Sequence, residues 1–312
     1  MENSTYISTF IITAYGELTN IKYFYVVCAL IGYMMILFAN GLLITVIITH
    51  KSLHKPMYIF ICALAVNGVY GSTGLFPKLI VDLLSDQQSI SYLCCLAQVF
   101  CIHTYMGCEL TILGIMALDR FVCICNPLRY HSIMTHSTVY KLISAAWFYA
   151  IALFSIHFIL TVRLPLCGMT IKKIYCDNWS VVRLSCRDTS VNNIFGLFIT
   201  AAISGLVPLL TLYSYVRILI VCVHASRETR AKALQTCMPH LISMVNFIVD
   251  ILFEIFLHRF ELVGMPQAVR IMMSIQFLVV APLLNPMLYG FKMSEIKTQL
   301  TKLTRSLKTS DV

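Results

Sequence analysis

Five charged side chains stand inside stretches otherwise too apolar to carry them. Asp119 and Arg120 are adjacent in MALDRFVCICNPLRY (Met116 to Tyr130), where a long apolar run meets a basic loop. Glu109 precedes Arg120 by eleven residues in the same run, and Asp250 and Glu254 stand four apart in another. A charge at the centre of a bilayer costs at least several kcal/mol, so such groups must face water, each other or a protein interior. The chemistry open to them is reversible pairing. Asp119 can hold the Arg120 guanidinium in one state, and a helix movement that parts the two would free it at the mouth of a new cavity. Asp250 and Glu254 share one helical face. They could meet a ligand carrying cationic or hydrogen-bond-donating groups, and equally could pair with His258, Arg259 or another helix. Glu109 falls about 16 Å along a helix from Arg120 at the standard rise, near mid-membrane. A hydrogen-bonded or protonated structural carboxyl is its plainer role. No G-x-S-x-G, H-E-x-x-H, P-loop or Rossmann pattern occurs, so no enzyme, cofactor or metal site is expected.

The thirteen cysteines separate by position. Cys28, Cys62, Cys101, Cys108 and Cys222 lie within apolar runs, where they pack as small apolar groups. Cys123, Cys125 and Cys237 belong to a reducing side. Cys94, Cys95, Cys167, Cys176 and Cys186 belong to an oxidising side, where disulfides are permitted. The loop spacings of nine and ten do not suit zinc, and spacing alone leaves the pairing open.

These groups must be positioned by membrane helices. The chain has 312 residues, is 59% apolar and 12% charged, and has a mean hydropathy of +0.81, too greasy for a water-soluble domain of that size. Apolar runs of roughly 20 residues or more, enough to cross a ~30 Å core, fall near 23–48, 57–84, 93–124, 139–162, 194–223, 234–257 and 269–289. The expected fold is an all-α membrane protein, a seven-transmembrane helix bundle forming a single domain over 1–312. Residues 1–22 form the leading segment, 23–289 the bundle and 290–312 the tail. Ile296, Leu300, Leu303 and Leu307 recur at spacings of four, three and four among Lys297, Lys302, Arg305 and Lys308, the pattern of an amphipathic helix lying on lipid. With the N-terminus outside, fourteen of the twenty-three lysines and arginines face the cytoplasm, which favours that orientation. The formal charge of +9 then sits against anionic lipid and requires no nucleic acid. MENSTYIS lacks the pattern of a cleaved signal peptide, so the first span is expected to direct insertion. Asn3-Ser4-Thr5 and Asn178-Trp179-Ser180 both fit the glycosylation acceptor pattern, with Asn3 the favoured site.

Several motifs occur in a fixed order: Asn40-Gly41, KPMYIF at 55–60, MALDRFVCICNPLRY, Ser214-Tyr215, KALQTCMPHL at 232–241 and PLLNPMLYG at 282–290. Together they make the chain resemble the odorant-receptor branch of the rhodopsin-like G-protein-coupled receptors. GVYGSTG in the second span and FEIFLHRF at 253–260 are similar to the fish-type members. The resemblance implies an odorant receptor in the plasma membrane, crossing it several times, with its N-terminus extracellular. Its partners would be a small-molecule odorant, the lipid bilayer and a heterotrimeric G protein, stimulatory coupling that raises cyclic AMP being the route the resemblance implies. It implies disulfides Cys95 with Cys176 and Cys167 with Cys186, Cys94 being an extra thiol and a rival partner for Cys176. The switch residues implied are Asp119, Arg120, Tyr215, Asn285, Pro286 and Tyr289. Pro286 removes a backbone hydrogen bond and Asn285 could satisfy the freed groups, a plausible hinge. The family usually places an aspartate in the second span, where this chain has Gly68 with Asn67 beside it, so a sodium site at Glu109 is not expected. The implied ligand pocket involves His103, Met106 and Gly107 on the third span, Ile203 on the fifth, and Ile251, Glu254 and Ile255 on the sixth.

Other readings separate on single residues. Residues 271–291 contain no lysine for a Schiff base, which disfavours an opsin. Ile102 stands where amine receptors place an aspartate. A non-olfactory small-molecule receptor is the nearest alternative. A transporter is further off, because neither the spans nor the buried charges repeat between halves.

Overall fold

The computed structural model describes residues 8–15, 21–259 and 267–310. Its long helices follow the apolar runs: α1 (Ile21–Thr49), α2 (Pro56–Leu84) and α3 (Tyr92–Cys125). The short α4 (Tyr130–Ile133) leads into α5 (His136–Val162). A one-turn helix α6 (Asn178–Val182) interrupts the loop before α7 (Ser190–Thr200), which passes through a π-helical turn (Ala201–Gly205) into α8 (Leu206–Val223). Then come α9 (Arg227–Arg259), α10 (Gln267–Lys292) and α11 (Ser294–Ser310). Among the described residues six spans are long and apolar enough to cross a membrane, α7 and α8 counting as one with the turn between them. The seventh, α3, has 34 residues, about 51 Å at the standard rise, and is enclosed by its neighbours. The chain is a multi-pass membrane protein.

Local chemistry sets the helix ends. Ser91 and Thr135 cap α3 and α5 by accepting from the Cys94 and Thr138 amides, each at 3.3 Å, and Pro56 opens α2, where its missing N–H costs nothing. α9 starts seven residues before the apolar run expected from Leu234, because Arg227, Glu228 and Arg230 extend it as a polar turn. The π-helical turn lies just before Pro208, whose ring cannot donate to the preceding turn, so the backbone there adopts a looser hydrogen-bond register.

Helix α3 packs on α2, α5, α8 and α9, while α10 closes the ring against α9, α2 and α1. The main core runs through Leu64, Leu75, Tyr105, Leu113, Phe247 and Phe277, all buried. Lipid-facing positions such as Phe24, Phe38, Phe148 and Leu209 are exposed. The solvent here is hydrocarbon, so exposure of these side chains has no cost.

An addition to the helical plan caps the bundle at its amino-terminal end. Strand β1 (Thr9–Ile12) pairs antiparallel with β2 (Ser89–Ser91) and parallel with β3 (Thr170–Ile171), in the order β2-β1-β3. Phe10 and Ile12 point inward and pack with Ile90, Ile171, Val99 and Val181 around the Cys95–Cys176 disulfide. A second disulfide joins Cys167 to Cys186. At the opposite, carboxy-terminal end, α11 packs on α10 and α1.

Candidate functional site

At the carboxy-terminal end, Asp119 is fully buried and its Oδ2 accepts from Arg120 Nε at 3.0 Å and from the Arg120 Nη2. Its Oδ1 accepts from the Tyr130 hydroxyl at 2.9 Å. Burial, then the charge of Asp119, raise the Tyr130 pKa well above its ordinary value, so the phenol stays a donor. Ala117, Tyr215, Ile218, Ala233 and Cys237 close an apolar cluster over this end of α3, α8 and α9. Tyr215 is hydrogen-bonded to His240 Nδ1, and His240 Nε2 bonds the Leu113 carbonyl at 2.8 Å. One histidine thereby ties α8, α9 and α3 together. KALQTCMPHL contains His240, yet its spacing carried no sign of this role; only the tertiary fold brings it to Leu113. Tyr289 is fully buried.

Midway along the bundle, Glu109 is held from two sides. Asn67 Nδ2 donates to Oε2 at 2.7 Å and Asn285 Nδ2 to Oε1 at 2.7 Å, which joins α2, α3 and α10. Asn285 therefore serves this carboxyl and not, as expected, the backbone freed by Pro286. The carbonyl that loses its donor to Pro286 belongs to Pro282, and Asn40 of α1 donates to it at 2.8 Å. Gly68 lies beside this contact: a Cβ there would sit 3.4 Å from Pro282 Cβ and 3.6 Å from Asn40 Oδ1.

Nearer the amino-terminal end, a cavity of about 210 Å³ opens between α3, α5, α7 and α9. His103, Met106, Gly107, Ile203, Ile251 and Glu254 all line it. Ile255 lies on α9 but its side chain is outside the described residues, as are those of His258 and Arg259 and the whole of Asn3. His103 bonds the Val99 carbonyl through Nδ1 at 2.9 Å and stacks on Phe154 at 4.6 Å. Gly107 lets α3 and α5 close up, since a Cβ would lie 2.9 Å from that of Ala150. Asp250 accepts from Asn246 at 3.0 Å and does not line the cavity.

The cavity roof is the loop between α5 and α7. Gln98 Oε1 accepts from the Cys176 amide at 2.8 Å, which gives the C-x-x-Q spacing a physical reason: the turn of α3 that carries the disulfide also docks the loop backbone. Cys94 is exposed and unbonded to another cysteine. Glu254 accepts from Lys173 Nζ at 3.0 Å and from the Tyr175 hydroxyl at 2.9 Å, and Lys173 also reaches Asp177 at 3.3 Å. Burial works to lower the Lys173 pKa, but the charges of Asp177 and Glu254 outweigh it and hold the pKa above the ordinary lysine value. Burial, then Glu254, raise Tyr175 well above its ordinary value. Glu254 thus pairs with a loop strap, a partner that the sequence did not suggest. The far wall, formed by Phe154, His157, Asn178, Asn192 and Gly196, did not figure among the residues expected in the pocket.

Residues 27–306 match the family model described as olfactory receptor. Human olfactory receptor 52D1 is 36% identical over 285 residues, covering 91% of this chain and 89% of that protein. Human olfactory receptor 51E1 is 34% identical, with 87% and 85% covered, and human olfactory receptor 51I1 is 36% identical, with 86% of each covered.

Proposed function

The chain belongs to the olfactory receptor family, and from that premise we propose that a small odorant binds in the cavity under the loop and switches a heterotrimeric G protein of the stimulatory, cyclase-activating class. The observation that carries this reading is the cavity itself, which gathers His103, Met106, Gly107, Ile203, Ile251 and Glu254 around one small, largely apolar space. The amino-terminal end faces the exterior of the plasma membrane, where the two disulfides persist. The end carrying Arg120 and the amphipathic α11 faces the cytoplasm, with α11 on anionic lipid. Asn3 carries the glycan.

The polar knot at Glu109 lies between cavity and switch, so a ligand that shifts α3 against α10 changes the register of helices that also hold Arg120. Outward movement of α9 would break the Tyr215–His240–Leu113 link and open the apolar cluster, leaving Arg120 accessible. Tyr215 and Tyr289 then offer hydroxyls to the rearranged helices, and the interrupted α10 around Asn285 and Pro286 absorbs the bend.

A cyclic-AMP assay on surface-expressed receptor with a broad odorant panel tests this. A saturable response to at least one odorant is expected. Silence under every co-expressed G protein, with the receptor at the surface, would overturn it.

A further inference from the structure

Toward the amino-terminal end the cavity is covered by the residues that the loop contributes to it. Tyr175, Asp177 and Asn178 are 1%, 2% and 3% exposed. Cys176, between them in sequence, is bonded to Cys95 and packs with Phe10 and Ile12 of β1, and the Lys173–Glu254 pair ties the loop to α9.

Sideways the wall is thin. A second space, an apolar crevice of about 210 Å³, lies between α3, the π-helical turn, α8 and α9, with Leu110, Pro208 and Ile248 on its walls. Thr200, Ser204 and Ile251 line both spaces, so cavity and crevice lie on either side of the same three side chains. Of these, Ile251 alone has bulk. The turn beside them is built from small residues, Ala201, Ala202, Ser204 and Gly205 around Ile203, and α9 packs much less closely on α8 than on α10. A Cβ added at Gly205, which lines the crevice and not the cavity, would meet nothing within 4 Å. The mouth opens on hydrocarbon, with Ala201 exposed on one rim and Leu252 59% exposed on the other. Thr200 and Pro208 bound this stretch at least ten residues from either end of the span Ser190–Val223, about 15 Å at the standard rise.

We propose that the odorant reaches and leaves the cavity from within the bilayer, through the crevice between the π-helical turn and α9. This rests on the reading of the cavity as the odorant site and adds its route of access. Side-chain rotation at the shared wall is fast, so movement of Ile251 past two small neighbours joins the two spaces without unseating the roof. The route selects uncharged, lipid-soluble odorants, because a bare charge is costly in hydrocarbon.

The chain has two tryptophans, and Trp179 lines the cavity, so Trp147→Phe receptor in phosphatidylcholine vesicles carries one fluorophore at the site. Bromooctane, whose bromine quenches tryptophan on contact, is the probe, followed by stopped flow. Quenching is counted beyond that given by phosphatidylcholine brominated along its acyl chains, which stays in the bilayer. Adding Gly205→Phe, which plugs the crevice, should slow both arrival and escape by about tenfold and leave the final quenching unchanged, since a route sets rates and not the equilibrium. Leu252→Ala, which widens the mouth from the other rim, should speed both. Bromobutyl-trimethylammonium, permanently charged, should not arrive. Unchanged rates in Gly205→Phe and Leu252→Ala at equal final quenching would overturn the route and leave the cavity standing. So would faster arrival in Lys173→Met, which loosens the roof, or quenching by the charged probe as fast as by bromooctane. Absence of quenching by bromooctane at any concentration would instead overturn the cavity reading, and the route with it.

Discussion

Removing the hydroxyl of Tyr130 isolates one restraint on the resting switch. In the closed structure that hydroxyl lies 2.9 Å from Asp119 Oδ1, and Asp119 itself is wholly buried. Tyr130→Phe keeps the ring and leaves Oδ1 without its donor, while Oδ2 stays with Arg120. Losing a hydrogen bond to a charged group costs about 1.5–3 kcal/mol. Tyr130 is only half-buried, so water recovers part of this and the lower figure applies. The penalty falls on the resting form, because opening the end that carries Arg120 lets water reach the carboxylate in the active form. A difference of ~1.4 kcal/mol is a factor of ten in an equilibrium constant, so the active fraction without ligand should rise about tenfold while it remains small. Ligand-independent cyclic AMP, normalised to receptor labelled at the surface, reads this directly. An unchanged or lower basal signal at equal surface density would refute the idea that Tyr130 holds Asp119 in the resting state.

Other expectations follow from the outer half. Lys173→Met leaves Glu254 with Tyr175 as its remaining strap partner and should destabilise the receptor by about 3 kcal/mol. Because the folded Lys173 pKa is raised, its contribution is fully present below ~10.4 and is lost only as pH rises through the higher folded value. The melting difference between wild type and Lys173→Met should therefore be the same at pH ~6 and pH ~8, well below the ordinary lysine pKa; a difference that vanished by pH ~8 would be wrong for this strap. Cys176→Ser should destabilise by about 2–5 kcal/mol and abolish surface expression, whereas Cys94→Ser should leave both unchanged, as surface labelling and non-reducing peptide maps can check. Asn3→Gln should increase gel mobility to that of enzymatically deglycosylated receptor; an unshifted band would remove Asn3 as the glycan site.

The parts of the design legible in sequence are those whose physics is local. Seven apolar runs fix the spans, and Asp119-Arg120 announces itself because charge inside such a run is costly. The wall from His103 to Gly107 and from Ile203 to Glu254 is what the family resemblance implies, and helical spacing alone does not single it out. What escaped depends on distant segments meeting. Thr9–Ile12 is too short to read as a strand, and its partners lie around residues 90 and 170. Glu254 could be seen to need a partner, but nothing along α9 pointed to Lys173 on a loop eighty-one residues away. Asn285 does not take the role its position suggests, because Glu109 engages its amide and Asn40, far away in sequence, meets the carbonyl freed by Pro286. Asn178 was obscured by its own tripeptide: a glycosylation pattern describes exposed chain, and the disulfide and the Asp177 turn fold this one inward.

The coupling of cavity to switch is tested most directly by filling the cavity. Thr200 lines it from α7, far along the bundle from Arg120, and Thr200→Trp would occupy the space with an indole. At equal surface density, the cyclic-AMP concentration–response to an activating odorant should be lost in Thr200→Trp and retained in the wild type. A response of undiminished potency in the filled receptor would contradict the account, because the odorant would then act from somewhere other than this cavity.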